Sequence, residues 1–339
     1  MCSPERLLYI IRYGIAYVRM EREVDGKIES TDQKHIMRYQ QLFASLAIRK
    51  KLAEGIKSGV VWHTQGSGKT ALSYYLTYIL NDFYSNQNKV AKFYFIVDRL
   101  DLMEQAKDEF VARGLSVRTA NSRDELMSDI RSTNLTENAE GKAEIMVVNI
   151  QKFKQDSAKI QIDSNYSIRL QRIFFIDEAH RGYNPHGSFL ANLLAADKDA
   201  IKIALTGTPL LKEERESWRV FGDYIDTYYY DKSIADGYTL KLMREPVETI
   251  YKEKIENILD KLAGGIEVRR SDIDRNKIIE HESYLNALID YIIADFRRFR
   301  IEQADDTVGA MIVCKTNPQA REMYRLWQER FNKALNIEG

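Results

Sequence analysis

The chain has almost no cysteine. Its two, Cys2 and Cys314, lie far apart and make neither a disulfide framework nor the close spacing of a cysteine metal site; both are expected to be reduced, as in a cytoplasm. No run of eighteen apolar residues occurs, so nothing predicts a membrane-spanning helix. At the N-terminus an apolar stretch is flanked by Glu5 and Arg6 and broken by Arg12. No small-residue cleavage pattern follows, which is not the layout of a secretory signal. An excess of one charge is missing as well: 50 Lys and Arg balance 50 Asp and Glu. No whole-chain basic field advertises nucleic acid, although a local groove would not register in a net charge. There is no internal repeat and no low-complexity tract. What remains is 339 residues, 44% hydrophobic and 29% charged. That is a globular composition with room for one large or two ordinary domains.

Short apolar runs organise the chain: Val60 to Trp62, Phe93 to Val97, Ile145 to Val148, Ile173 to Ile176 and Ile201 to Leu205. Continuous apolar runs of this length, separated by helical or loop sequence, predict a parallel sheet covered on both faces. The spacing of Ile36, Leu42, Leu46 and Leu52 predicts a helix over Gln33 to Gly55. Asn121 to Ala143 and Asp156 to Ser167 read as polar surface excursions, and Asp231 to Gly237 as a boundary. Tyr284 to Phe296 has helical pattern, and Ala310 to Cys314 reads as a further strand.

One stretch carries most of the chemistry. Val60 to Thr70, VVWHTQGSGKT, feeds a β-prone run into a glycine-rich loop ending in Lys69-Thr70, ahead of the helical run Ala71 to Leu80. A strand, a Gly-x-Gly-Lys-Thr loop and a helix form a phosphate cradle. Gln65, Gly66, Ser67 and Gly68 supply the loop, Lys69 a point charge, and the Thr70 hydroxyl a ligand for Mg²⁺. Phe174 to His180, FFIDEAH, puts two acids at the end of an apolar strand, where ligands bind in open α/β sheets. Asp177 is placed to hold Mg²⁺ and Glu178 to orient or deprotonate the attacking water. In ALTGTPL, Ala204 to Leu210, Thr206 and Thr208 offer hydroxyls to relay hydrogen bonds across a cleft. Blander readings compete at other positions. His63 reads as a simple hydrogen-bonder or a ligand contact. The run Phe296 to Arg300 reads as a solvated helix face or a phosphate contact. His35 and His186 read as surface residues, and the 20 tyrosines mainly as packing.

Taken in order, GSGKT, DEAH and TGTP resemble motifs I, II and III of superfamily 2 helicases and translocases. MRYQQ (Met37 to Gln41) resembles the Q motif, VDRLDLMEQ (Val97 to Gln105) motif Ia, NIQKF (Asn149 to Phe153) motif Ib and AMIVCKTNPQA (Ala310 to Ala320) motif IV. The wording is most similar to the motor (R) subunit of type I restriction enzymes, over roughly Pro4 to Met323. The resemblance implies an α/β fold: a RecA-like P-loop NTPase domain with a parallel sheet, plus the start of a second RecA-like domain. It implies residues 1–31 as a connector, 32–235 as the first RecA-like domain, 236–304 as a mostly helical region and 305–339 as the opening of the second. It also implies an ATP-dependent double-stranded DNA translocase using ATP and Mg²⁺, with methyltransferase and specificity subunits as partners. Gln40 would read the adenine edge; Arg99, Gln151 and Lys152 would contact nucleic acid; Lys69, Asp177, Glu178 and Thr206 would be catalytic; His180 and Thr208 would couple nucleotide to DNA. The family's nuclease pattern ahead of the motor, and motifs V and VI with the arginine finger, have no matching positions, so the sequence is expected to be a central fragment. A generic superfamily 2 DNA or RNA helicase, or a fragment that binds nucleotide and DNA without turnover, remain open alternatives.

Overall fold

A computed structural model of the chain describes residues 3–24, 27–120, 122–132, 143–150, 169–177, 197–208, 221–241 and 279–331, with 193, 253 and 257 singly. The chain divides into two units, Met1–Lys241 and Leu242–Gly339.

The first unit is built on a seven-stranded sheet in which every neighbouring pair is parallel. Its strands are β3 (Ser58–His63), β4 (Val90–Val97), β5 (Ser116–Ala120), β6 (Glu144–Asn149), β7 (Leu170–Asp177), β8 (Ile201–Thr206) and β9 (Tyr224–Tyr228), in the order β5-β6-β4-β7-β8-β3-β9. All five expected apolar runs are strands, and they occupy the five central places. Because successive side chains alternate across a sheet, each run feeds two cores. Val61, Phe93, Phe95, Val147, Phe175 and Ile203 share one with helices α2 (Tyr39–Ala53), α3 (Lys69–Ser85) and α4 (Leu100–Ala112). Val60, Tyr94, Ile96, Val148, Phe174 and Ala204 share the other with helix α5 (Arg123–Arg131) and Phe221. A sheet buried on both faces is why these strands read as unbroken apolar runs.

The two edge strands, β5 (SVRTA) and β9 (YIDTY), carry no such run and are each only partly buried. Ahead of the sheet come α1 (Pro4–Tyr13) and an antiparallel hairpin, β1 (Ile15–Val24) with β2 (Lys27–Ile36). The expected helix over Gln33 to Gly55 is therefore shorter: Gln33 to Ile36 pair in the hairpin, and α2 starts at Tyr39. Arg38 is extended, with its N–H donating to Gln41 Oε1 at 2.9 Å, a side-chain bond that satisfies the amide at the helix start. Asn121 to Ala143 is likewise more than a surface excursion. Ser122 caps α5 through the Glu125 N–H, and Leu126, Met127 and Ile130 are buried under the sheet. Asp231 to Gly237 holds a short helix, α6 (Tyr230–Ala235). Asp156 to Ser167 and His186 lie outside the described residues.

In the second unit, α7 (Glu282–Gln303) runs through the expected helical pattern, and with α8 (Asn317–Phe331) it encloses a small core of Leu285, Ile289, Met323 and Leu326. Ala310 to Cys314 is irregular rather than a strand. Among the described residues no strand lies beside it to accept its backbone hydrogen bonds, and Met311 and Val313 are exposed. Within Phe296 to Arg300, Arg298 pairs with Asp295 at 2.6 Å and Arg300 donates to the Val308 carbonyl, the arrangement of a solvated helix face. No helix among the described residues is long and apolar enough to cross a membrane.

Candidate active site at the carboxyl ends of the strands

Strand β3 ends at His63, and the chain turns through Thr64 to Gly68 into α3. Two glycines make the turn: Gly66 and Gly68 have φ of 77° and 82°, a region that other residues occupy only with strain. A Cβ on Gly68 would also stand 2.4 Å from Gln41 Nε2 and displace that side chain. The start of α2 grips the loop from outside. Arg38 donates to the Gly66 carbonyl at 3.3 Å, Gln40 Nε2 to that of Ser67 at 3.5 Å and Gln41 Nε2 to that of Gly68 at 2.9 Å. Three consecutive loop carbonyls are thus held by α2, while the first amides of α3 keep the unpaired donors of any helix start.

Side chains inside the loop are deeply placed. Thr64 and Ser67 are buried, and their hydroxyl oxygens, together with Gln40 Oε1, have no hydrogen-bond partner among the described residues. Buried polar atoms without partners are uncommon because each costs about 1–3 kcal/mol, and these three lie in the loop or directly against it. Lys69 Nζ lies 3.3 Å from the His63 carbonyl oxygen at the mouth of the loop.

Parallel register brings the other motifs alongside. β7, β8 and β3 are successive neighbours, with Asp177 opposite Leu205 and Thr206 opposite Trp62. Asp177, Thr206 and His63 therefore close three adjacent strands at the same edge of the sheet. The TGTP turn touches the phosphate loop: a Cβ on Gly207 would meet Gln65 Cγ at 3.0 Å and Lys69 Nζ at 3.3 Å. Thr206 Oγ1 donates to the Thr208 carbonyl at 3.0 Å, so Thr206 braces this turn from a buried position while Thr208 is exposed.

Of the expected site residues, Gln40, Gln65, Gly66, Ser67, Gly68, Lys69, Thr70, Asp177, Thr206 and Thr208 fall on this one rim. Arg99 follows β4 and is exposed, its guanidinium on Asp101 at 2.7 Å. Glu178, His180, Gln151 and Lys152 lie outside the described residues. His63 is buried with Nε2 2.7 Å from Asp226 Oδ2, tying β3 to β9 as a simple hydrogen-bonder. Sequence reasoning missed Gln41, Arg38 and Gly207. The first two stand in the same MRYQQ run as Gln40, and a doubled glutamine beside a glycine loop was the available signal.

A family model for the SWI2/SNF2 ATPase matches residues 40–275, well over half of the chain. The chain belongs to the SWI2/SNF2 ATPase family. The match begins at Gln40 and takes in every motif of this rim. Among curated relatives of this SWI2/SNF2 chain, a Methanocaldococcus jannaschii protein named as a type I restriction enzyme endonuclease subunit (MjaVIIIP) is 30% identical over 255 residues, 68% of this chain and 25% of its own length. The Staphylococcus saprophyticus type I restriction enzyme SsaAORF53P endonuclease subunit is 30% identical over 266 residues, 73% of this chain and 27% of its own. The chain therefore spans about a quarter of the length of these relatives. Among solved structures, a nuclease-deletion mutant of the Type ISP restriction-modification enzyme LlaGI, in complex with a DNA substrate mimic, covers 89% of this chain and 27% of its own at 15% identity and a TM-score of 0.42.

Proposed function

We propose that this SWI2/SNF2 chain hydrolyses ATP to drive movement along double-stranded DNA, as the motor part of a type I restriction-modification assembly with methyltransferase and specificity subunits. The observation that carries this reading is the meeting of the glycine loop, Asp177 and the TGTP turn on three adjacent strand ends. The names of the relatives, type I restriction enzyme endonuclease subunits, support the restriction-enzyme part of this reading. DNA cleavage is assigned to a nuclease domain outside these residues.

In this reading the loop amides and Lys69 bind the β- and γ-phosphates. Gln40 reads the adenine edge from beside the loop, where its Nε2 donates to the Ser67 carbonyl. Thr70 and Asp177 would hold Mg²⁺, whose contribution is to neutralise charge on the transferring phosphoryl group; one hydroxyl and one carboxylate suit an ion that keeps waters and phosphate oxygens as its other ligands. Glu178 orients and deprotonates the attacking water. Thr206 holds the TGTP turn against Lys69, where it senses the γ-phosphate, and Thr208 and His180 relay that state toward DNA. Arg99, Gln151 and Lys152 contact the nucleic acid. Residues 305–339 are read as the opening of a second RecA-like domain.

Phosphate release at steady state, with and without double-stranded DNA, tests the reading. Turnover stimulated by long duplex is expected. ATP binding without turnover would reduce the chain to a binding module, and strand displacement without translocation would favour a generic helicase.

A further inference from the structure

The end of the first unit folds back onto the outside of the glycine loop. Helix α6 stops in a glycine turn: Gly237 has φ of 74°, its N–H donates to the Ile234 carbonyl at 3.0 Å, and the Tyr238 N–H donates to the Ser233 carbonyl at 2.9 Å. This pair of crossed hydrogen bonds is the Schellman arrangement, and it requires a left-handed residue that glycine supplies without strain. Ser233 and Thr239 share a hydroxyl hydrogen bond that closes the turn.

The turn delivers two side chains to the start of α2. The Tyr238 ring lies under the Arg38 guanidinium, 4.6 Å from its centroid, and the same guanidinium donates to the Gly66 carbonyl. Asp236 accepts from the Tyr39 hydroxyl and, at 2.6 Å, from the Tyr228 hydroxyl. Those two hydroxyls hold the Asp236 carboxyl below the ordinary aspartate range. Tyr228 in turn accepts the Thr64 N–H on its carbonyl at 3.1 Å. Residues 38 and 39 directly precede the two glutamines that grip Ser67 and Gly68. Both arms of the turn therefore end, one residue removed, on the loop proposed to bind phosphates.

We propose that Asp236 and Tyr238 are positioning residues for nucleotide binding, acting through Tyr39 and Arg38 to hold the glycine loop in its receptive shape. The proposal deepens the ATPase reading and rests on it for the identity of the ligand. By thermodynamic reciprocity, a latch that favours the nucleotide is in turn tightened by it.

The test has two arms, so that this idea and the ATPase reading can fail separately. In the nucleotide-free chain, amide hydrogen exchange over residues 66–72 is expected to quicken in Asp236→Ala and Tyr238→Ala, with β4 and β6 unchanged. Tyr238→Phe, which keeps the ring under Arg38, should restore slow exchange. In the second arm, titration with ADP–Mg²⁺ should show affinity reduced by about fivefold or more in both alanine variants and restored in Tyr238→Phe. Nucleotide should also slow exchange at residues 237–239 in the wild-type chain. Unchanged exchange over 66–72 in both alanine variants overturns the latch, whatever the titration shows. Quickened exchange with unaltered ADP affinity also overturns it. A wild-type chain that binds no nucleotide instead overturns the ATPase reading, while the exchange arm still decides whether the turn holds the loop.

Discussion

Two regions of the same sheet carry buried polar side chains, and they treat them in opposite ways. At the amino ends of the strands, Asp129 of α5 receives the Tyr94 hydroxyl at 2.8 Å, Lys92 Nζ at 2.9 Å and the Arg118 guanidinium, while Arg118 also reaches Glu144 and Arg172 pairs with Asp197 at 3.1 Å. Every charge in that cluster meets an opposite one. At the carboxyl ends, Thr64, Ser67 and Gln40 bury oxygens that no group among the described residues satisfies. A closed network holds elements together, here α5 against β4, β5 and β7. The carboxyl-end oxygens instead lie where the glycine loop, Asp177 and the TGTP turn come together. The contrast sets a network that fastens elements apart from the rim that carries the glycine loop.

The largest effect should come from opening the closed network. Asp129→Ala leaves Lys92 buried without its carboxylate, and truncating one partner of a buried pair costs about 3–5 kcal/mol; thermal denaturation should show a large fall in Tm. An unchanged Tm would mean that the amino-end cluster is not what fastens α5. Next comes the division of labour between the two acids, measured in a form of the protein with DNA-stimulated turnover. Glu178→Gln should keep ATP–Mg²⁺ affinity near wild type and lose about 10²-fold or more in turnover, whereas Asp177→Asn should lose affinity too. Normal turnover in Glu178→Gln together with full affinity in Asp177→Asn would show that the roles were assigned wrongly.

A smaller, pH-dependent effect sharpens the comparison. Burial opposes ionisation of Asp129, but Lys92, Tyr94 and Arg118 outweigh it and hold its carboxyl below the ordinary aspartate value. A depressed folded value means that the contribution to stability is complete above the unfolded pKa of about 4 and drains away as pH falls through the folded value. The Tm should therefore drop on acidification below that range, and more shallowly in Asp129→Asn. Equal slopes would remove Asp129 from the acid limb. The smallest effect belongs to Arg99. Its pair with Asp101 is exposed and close in sequence, worth about 0–1 kcal/mol, so Arg99→Ala should leave Tm nearly unchanged. If Arg99 contacts phosphate, the same variant should weaken DNA binding at all sequences and lower the salt slope by about one. An unaltered salt slope would take it out of the DNA interface.

The centre of the sheet was legible because strands buried on both faces leave an unbroken apolar signature. The edges were not: SVRTA and YIDTY face a core with only part of their length, so no run announces them. The β1–β2 hairpin was hidden for a related reason. Its strands, IAYVRMEREV and KIESTDQKHI, are rich in charge, so no apolar run announces them. Residue types and order placed the glycine loop, Asp177 and TGTP on strand ends. Neither type nor order could say that Gln41 and Arg38 clamp the loop carbonyls, or that Gly207 lies close against Gln65 and Lys69. Those facts depend on which strands become neighbours, and the order β7-β8-β3 is set by topology rather than by any local signal.

The central claim is that the glycine loop at the carboxyl ends binds the phosphates of ATP through its amides, with Lys69 as the fixed positive charge. Titration of the folded chain with a fluorescent ATP analogue in the presence of Mg²⁺, for wild type and Lys69→Ala, tests it most directly. The account predicts saturable binding by the wild type and an affinity lower by at least about tenfold in the variant, about 1.4 kcal/mol or more. Equal affinities, in chains with the same Tm, would contradict it.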